Sequence, residues 1–136
     1  MKKIELAHSE GYVKLVVNAA QHYADLRFFG PITRELLDQT FLELIKSKDF
    51  KVNFNAVYNY CDAYSDLEMS EIQEHAQFVG HHLGARGNSY KLALVANDTL
   101  NMALLEVYKL LVSKTSVEVE VFSEHQRAVD WITSQE

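Results

Sequence analysis

Hydrophobic and polar positions follow two different periods along this chain, and the stretch from Tyr90 to Leu111 shows both. Residues 92–96 form a continuous apolar run, which is typical of a strand covered on both faces. After Asn97 and Asp98, either of which can cap a helix, apolar residues recur at the spacing of an amphipathic helix. This stretch therefore predicts a buried strand that leads directly into a helix, which is half of a βαβ unit.

Alternation of apolar and polar residues predicts five further strands. It occurs in residues 4–8, 12–17, 25–29, 50–56 and 117–121. Short connections between the first three favour antiparallel pairing. The last of the five alternates valine with glutamate, so we place it at a sheet edge, where the charges discourage pairing with another molecule.

Apolar residues at helical spacing predict four helices, over residues 34–46, 71–83, 99–112 and 124–133. Thr33 is the predicted N-cap of the first, Ser70 and Ser123 begin capping-box patterns for the second and the last, and Gly84 is the predicted C-cap of the second. The alternation of strands and helices predicts an α/β fold. It has a mixed, mostly parallel sheet with an N-terminal antiparallel hairpin and helices on both faces.

The composition is that of a soluble globular protein. The 136 residues are 48% hydrophobic and 24% charged, and we expect one domain over residues 1–136. A formal charge of −6 argues against nucleic-acid partners and anionic membranes. We find no signal peptide and no run of roughly 20 apolar residues, so we expect no stable membrane insertion. Cys61 is the only cysteine, which fits a reducing compartment, and we expect a cytoplasmic location.

Three short motifs match the pattern of one known protein family. Residues 29–33 resemble that family's entry to the first helix, and residues 94–98 resemble the exit of its fourth strand. Val119 to Ile132 is similar to its C-terminal signature V-x-V-F…A-x-x-W-[LI]. The family that these motifs resemble is the SpoIIAA-like division of the STAS family, the anti-sigma-factor antagonists. The resemblance implies the STAS fold and a non-enzymatic bacterial-type regulatory or binding module. Such a module binds a protein partner, a nucleotide or a small apolar ligand.

The same resemblance leads us to expect no phosphorylation switch. In the sporulation antagonists, the phosphorylated serine lies in a D-S-[ST]-G motif at the start of the second helix. The corresponding region here, residues 61–67, contains no glycine, and Asn55 stands where relatives often have Asp at the end of the third strand. We therefore expect no stable phosphorylation at Ser65 or Ser70.

The other chemically active residues form no recognisable catalytic or metal-binding pattern. The histidines lack ligand spacing, so we interpret them as solvated helix residues and expect no metal and no cofactor. Cys61 has no base identified by spacing, so we interpret it as a structural thiol, and residues 84–88 as a turn. An enzyme that uses Asp62, Asp98 or a histidine stays open as an alternative. The six histidines are His8, His22, His75, His81, His82 and His125.

Three tyrosines lie in the least regular segment, residues 57–69. Tyrosine combines an apolar ring with a polar tip and is enriched at interfaces. We predict a loop here that faces the helix start at Asn97–Asp98, with the strand ends at Ala56 and Ala96 side by side. The candidate binding residues are Asn55, Tyr58, Tyr60, Asp62, Tyr64, Asn97 and Asp98.

The occupant expected at this site is a protein partner, or a largely apolar ligand with one polar or weakly acidic end. The alternatives left open are tyrosines that only pack over the sheet edge, an enzyme that uses the same cleft, and a self-associating structural subunit such as a homodimer.

Overall fold

A six-stranded mixed sheet, with strands side by side in the order of the chain, forms the centre of the structure. The computed structural model describes residues 2–8, 11–65, 67–87, 89–98, 102, 105–106, 108–110 and 117–134. The first three strands are antiparallel neighbours, and the last four are parallel. The strands are β1 (Lys2–His8), β2 (Gly11–Asn18), β3 (Tyr23–Ile32), β4 (Asn55–Ser65), β5 (Lys91–Val95) and β6 (Glu118–Phe122).

This sheet confirms the predicted α/β fold with an N-terminal antiparallel hairpin and a mostly parallel remainder. Strand β5 is buried along almost its whole length, as its continuous apolar run predicted. Strand β6 lies at an edge with Glu118 and Glu120 exposed, which confirms the position inferred from its alternating pattern.

Within the part of the chain that the structure describes, four helices have defined bounds: α1 (Arg34–Lys46), α2 (Met69–Gly80), α3 (Leu83–Arg86) and α4 (His125–Thr133). Within the predicted helix over 99–112, the described residues 102, 105–106 and 108–110 are helical. The prediction of α1 is confirmed at both ends. Its N-cap is Thr33, whose Oγ1 accepts a hydrogen bond of 3.1 Å from the Leu36 N–H. Helix α3 is a single turn that the sequence pattern did not predict.

Helices cover both faces of the sheet, as predicted. The face that we call the front carries Leu26 and Leu94 and packs against Leu36 and Leu44 of α1 in the larger core. The opposite face, the rear, has a smaller core in which Ala128 and Ile132 of α4 pack with Val57, Ala93 and Val95.

Three of the predicted helix caps are wrong. Helix α2 begins earlier than predicted, and its N-cap is Glu68. The Glu68 N–H donates to the Glu71 carboxylate at 3.0 Å, so Ser70 lies inside the first turn.

The other two corrections concern the start of α4 and the end of α2. Helix α4 has Glu124 as its N-cap without a side-chain cap, and Ser123 lies outside it. Helix α2 ends at Gly80, and Gly84 lies within α3. The observed ends lie one to a few residues from the predicted ones. Capping patterns therefore locate helix ends only to within a few residues.

The predicted strand over residues 50–56 and the predicted loop after it are both wrong. Strand β4 begins at Asn55 and continues through the tyrosines to Ser65. The chain cannot be extended earlier because Asn53 has a φ of 67°, in the left-handed region. Two long-range bonds hold it there: its N–H donates to the Arg86 carbonyl at 3.0 Å, and its Oδ1 accepts from the Ser89 N–H at 3.1 Å.

Candidate functional site

A cavity of about 70 Å³ lies between the front face of the sheet and the helices that cover it. It is several times larger than the roughly 10–15 Å³ that one water molecule needs, and about half of a 150 Å³ apolar cavity that holds benzene. Its lining is mainly aliphatic and aromatic. The lining residues are Ile32, Leu37, Phe41, Tyr58, Tyr60, Leu67, Ile72, His75, Val79, Arg86, Tyr90, Leu92, Leu94, Leu105 and Tyr108.

Strand β4 supplies two tyrosines to the wall of this cavity. Tyr58 lies opposite Leu94 in the parallel pairing of β4 with β5, and Tyr60 follows two residues later on the same face. Phe28 of β3 supports both rings, with centroid distances of 5.7 Å to Tyr58 and 4.6 Å to Tyr60. The two side chains are thus held from behind by an aromatic neighbour and face the cavity.

A register shift in β4 separates Tyr64 from the other two tyrosines. Arg27 of β3 pairs with Asn59, but Phe29 pairs with Asp62, so one extra residue of β4 is accommodated between them. Beyond the shift, Ala63 belongs to the front core, and its neighbour Tyr64 points away and is 56% exposed. The strand therefore divides the tyrosine cluster between the cavity and the protein surface.

Arg86 is the most unusual residue of the cavity wall, because its side chain is 1% exposed. Its guanidinium Cζ lies 3.4 Å from the ring centroid of Tyr90 and 4.9 Å from that of Phe50. Nη1 donates a hydrogen bond of 2.7 Å to the carbonyl of Phe54. Nη2 is buried and has no hydrogen-bond partner among the described residues.

The positive charge of Arg86 has no counter-charge among the described residues, since no ion pair joins it to a carboxylate there. Burial lowers the pKa of Arg86, while Tyr90 and Tyr58 act in the opposite direction. Arginine starts from so high a pKa that it stays protonated inside proteins. Buried charges are normally paired, so an unpaired guanidinium in an apolar wall is an incomplete arrangement.

The tyrosine hydroxyls of the cavity wall are neutral at ordinary pH. Burial raises the pKa of Tyr58 to about 12, with Arg86 opposing the rise. Burial also raises the pKa values of Tyr60, Tyr90 and Tyr108. The hydroxyl group of each of these residues can therefore still donate one hydrogen bond and accept others.

His75 lines the cavity and is not the solvated helix residue that we predicted. It is 8% exposed, and its Nδ1–H donates to Asp38 Oδ1 of α1 at 2.7 Å. The signal was present in the sequence, because His75 lies three residues after Ile72 and four before Val79, on the apolar stripe of α2.

His125, on the rear face, is also tied into a network. Asn59 Nδ2 donates to His125 Nδ1 at 2.9 Å, and His125 Nε2 lies 2.9 Å from Asp25 Oδ2. Asn59 Oδ1 in turn accepts from the Cys61 N–H at 2.9 Å. These bonds join three strand residues to the start of α4, which corrects the prediction of a solvated side chain.

Asn55 lies at the opposite end of the sheet from the other residues predicted with it. Its Oδ1 accepts from the Lys91 N–H at 2.8 Å, and its Nδ2 donates to the Ile132 carbonyl at 2.8 Å. Ala56 pairs with Leu92, so the prediction that Ala56 and Ala96 lie side by side is wrong. The error follows from the misplaced strand, because residue 55 begins β4 instead of ending a strand.

The structure divides the remaining predicted residues into two groups. Tyr58 and Tyr60 lie in the cavity wall, whereas the others are exposed, two of them near the end of β4 and two after the end of β5. The exposed residues are Asp62, Tyr64, Asn97 and Asp98. Sequence reasoning missed the other polar members of the cavity wall, which are His75, Arg86, Tyr90 and Tyr108.

The described residues offer little support for other kinds of site. Burial raises the pKa of the Cys61 thiol, and Asp62 adds to the rise, so the reactive thiolate is disfavoured. In the part of the chain that the structure describes, no three His, Cys, Asp or Glu side chains are placed to share a metal ion. No helix in that part is long and apolar enough to cross a membrane.

Comparison with known proteins identifies the fold. No protein-family model matches the chain, and no curated protein matches it. A crystal structure at 2.25 Å of an uncharacterized DUF3478-family protein with a SpoIIAA-like fold, from Shewanella loihica PV-4, is similar, with a TM-score of 0.59. The match covers 93% of this chain and 98% of that chain at 15% identity. Similarity at this level shows the fold alone, so the chain has a SpoIIAA-like fold, as its motifs indicated.

Proposed function

We propose that this protein is a non-enzymatic binding module whose front-face cavity holds a small, largely apolar ligand. The observation that supports this most is the cavity itself, whose lining combines aliphatic and aromatic side chains with a few polar groups. Ligand sites in proteins have this composition, with few polar groups that fix orientation. The cavity volume of about 70 Å³ limits the ligand to a small molecule.

The choice of the cavity over the exposed surface rests on burial. Tyr58 and Tyr60 present their rings inside the protein, so a partner protein could not use them as anchors without opening the front core. Tyr64, Asp62, Asn97 and Asp98 are exposed and support contact with a protein partner as the alternative.

A catalytic use of the same cavity is favoured by one observation, the hydrogen bond between His75 and Asp38. A carboxylate that holds the Nδ1–H of a histidine orients it as a base. A nucleophile beside that histidine would be required as well. The pKa of the Cys61 thiol is raised, and Cys61 packs with the rear core, so it does not fill that role.

The proposal is tested by looking for a resident molecule and by filling the cavity. Native mass spectrometry of protein purified without denaturation should detect a bound small molecule, and titration with 1-butanol should shift the NMR resonances of cavity residues. The substitution Val79→Phe places a ring in the cavity wall and should abolish the butanol shifts. Val52→Phe, at a position that is 52% exposed, is the matched control and should bind as the wild type does.

Two results would contradict the proposal. One is a wild-type protein that carries no small molecule and shows no response to 1-butanol. The other is a folded Val79→Phe variant that binds butanol as well as the wild type. Conversion of the bound molecule to a product by the wild type, lost in His75→Gln, would support the enzyme instead.

A further inference from the structure

We propose that the ligand of this cavity is a small monocarboxylate whose negative head pairs with Arg86 and whose apolar body lies among the surrounding side chains. This inference rests on the proposed function, because it names the class of ligand for the same cavity. It is carried by an incomplete polar arrangement: a buried guanidinium that lines the cavity with one nitrogen unpartnered among the described residues.

The position of the guanidinium is set by contacts on three sides. Tyr90 and Phe50 contact it through their rings, and the Phe54 carbonyl accepts from Nη1. The backbone is held as well, since the Arg86 carbonyl accepts from the Asn53 N–H. An arginine held in this way loses little further freedom when an anion binds, and preorganisation of this kind favours affinity.

A carboxylate beside Arg86 would supply the hydrogen-bond acceptor and the counter-charge that the described wall lacks. One oxygen would accept from Nη2, and the negative charge would offset the buried positive charge. Tyr58, Tyr90 and Tyr108 line the same cavity as Arg86, and the ring of Tyr90 is in contact with the guanidinium. Since burial keeps these hydroxyls protonated, they can donate to the second oxygen.

The charge of the ligand follows from the charges in the wall. Of the described lining residues, Arg86 is the one with a permanent charge, and His75 is already bonded to Asp38. A phosphate carries between one and two negative charges and needs several donors or cations around it. A single guanidinium with neutral hydroxyls matches one negative charge, and the aliphatic remainder of the wall matches a short hydrocarbon chain.

The test uses three probes that share an unbranched four-carbon chain and differ in charge: butyrate, butyramide and butylamine. Each is titrated into the folded protein at pH 7 and followed by NMR and calorimetry. Butyrate should bind at least about tenfold more tightly than butyramide, because a hydrogen bond to a charged group adds at least that factor. Butylamine should bind more weakly than butyramide, since its charge has the same sign as that of Arg86.

Variants then assign the preference to one side chain. Arg86→Met keeps a side chain of similar length without the charge and should bind butyrate no better than butyramide. Arg86→Lys keeps the charge without the planar fork and should retain part of the preference. Arg127→Met is the matched control, because the Arg127 side chain is 75% exposed on α4, and it should behave as the wild type does.

The comparison of probes in the wild-type protein decides the inference even where a variant fails to fold. Butyramide that binds as tightly as butyrate would overturn the carboxylate assignment and leave the proposed function standing. Failure of all three probes, together with no response to 1-butanol, would overturn both. A preference for butyrate that survives in folded Arg86→Met would show that another group holds the anion and would overturn the assignment to Arg86.

Discussion

The guanidinium of Arg86 lies 3.4 Å from the ring centroid of Tyr90, well within the distance of about 6 Å at which a cation and an aromatic face attract each other. Arg86 ends α3, and Tyr90 directly precedes β5. The pair therefore ties the short helix to the sheet on the side where β4 and β5 begin. It also holds the buried charge in the wall of the cavity.

Glycine at position 87 is needed to keep Arg86 in place. Gly87 has a φ of 95°, and a Cβ added there would collide with Asn53. Gly87→Ala should therefore lower the free energy of unfolding by more than about 1 kcal/mol, measured by urea denaturation. Gly80→Ala is the matched control, because nothing lies within 4 Å of its added Cβ at the end of α2, and it should be neutral or stabilising by up to about 1 kcal/mol. Equal stabilities of the two variants would contradict this prediction.

Leu94 is central to the fold. It is 2% exposed in β5, and the substitution Leu94→Asp would bury a carboxylate with no partner. We expect the loss of cooperative thermal unfolding, followed by circular dichroism. Leu110→Asp makes the same change at a leucine that is 71% exposed and should alter stability by no more than about 0.5 kcal/mol. A Leu94→Asp protein with the same thermal unfolding as the wild type would contradict the assignment of β5 to the core.

Asn55 is predicted to stabilise the fold through both halves of its amide. In Asn55→Asp, the carboxylate can still accept from the Lys91 N–H, but it cannot donate to the Ile132 carbonyl. Loss of this hydrogen bond should lower the free energy of unfolding, measured by urea denaturation, by about 1–3 kcal/mol. This is the usual penalty for a buried group left unsatisfied. Asn97→Asp changes an exposed amide in the same way and serves as the control, with an expected effect within about 0.5 kcal/mol. Similar losses in both variants would remove the special role of Asn55.

The buried tyrosines predict a loss of stability at alkaline pH. The pKa of Tyr58 is raised from 10.0 to about 12 in the folded protein, so above pH 10 the unfolded chain releases a proton that the folded chain retains. The contribution of Tyr58 to the free energy of unfolding is therefore fully present below pH 10 and is lost as the pH rises towards 12. Tyr58→Phe removes one such group. The fall of the free energy of unfolding with pH should then be less steep by up to about 1.4 kcal/mol per pH unit. Urea denaturation from pH 8 to pH 11 measures it, and an unchanged slope would show that Tyr58 ionises equally in both states.

The parts of the fold that sequence predicted well depend on local information. Helix α1 shows this. The side chain of Thr33 caps it through a hydrogen bond to Leu36, only three positions later, and its apolar stripe is complete. Strand β5 shows it too, because an uninterrupted apolar run needs cover on both faces. In these segments the side chains, the period and the flanking residues all favour the same structure.

The parts that sequence missed depend on contacts between distant residues. The left-handed conformation of Asn53 requires the Arg86 carbonyl and the Ser89 N–H, which lie more than thirty residues further along the chain. Arginine is ordinarily exposed, and Arg86 is buried because rings from two other segments surround it. The shift in β4 that separates Tyr60 from Tyr64 is likewise a property of its pairing with β3.

The agreement between strand order and chain order has a consequence for protein synthesis. A chain that emerges from the ribosome can add each new strand to the open edge left by its predecessor, without inserting a strand between two that are already paired. Helix α4 follows all six strands, so its cover over Val57, Ala93 and Val95 is the last to arrive. The rear face is therefore the apolar surface that a nascent chain leaves open longest, and the one most in need of a chaperone.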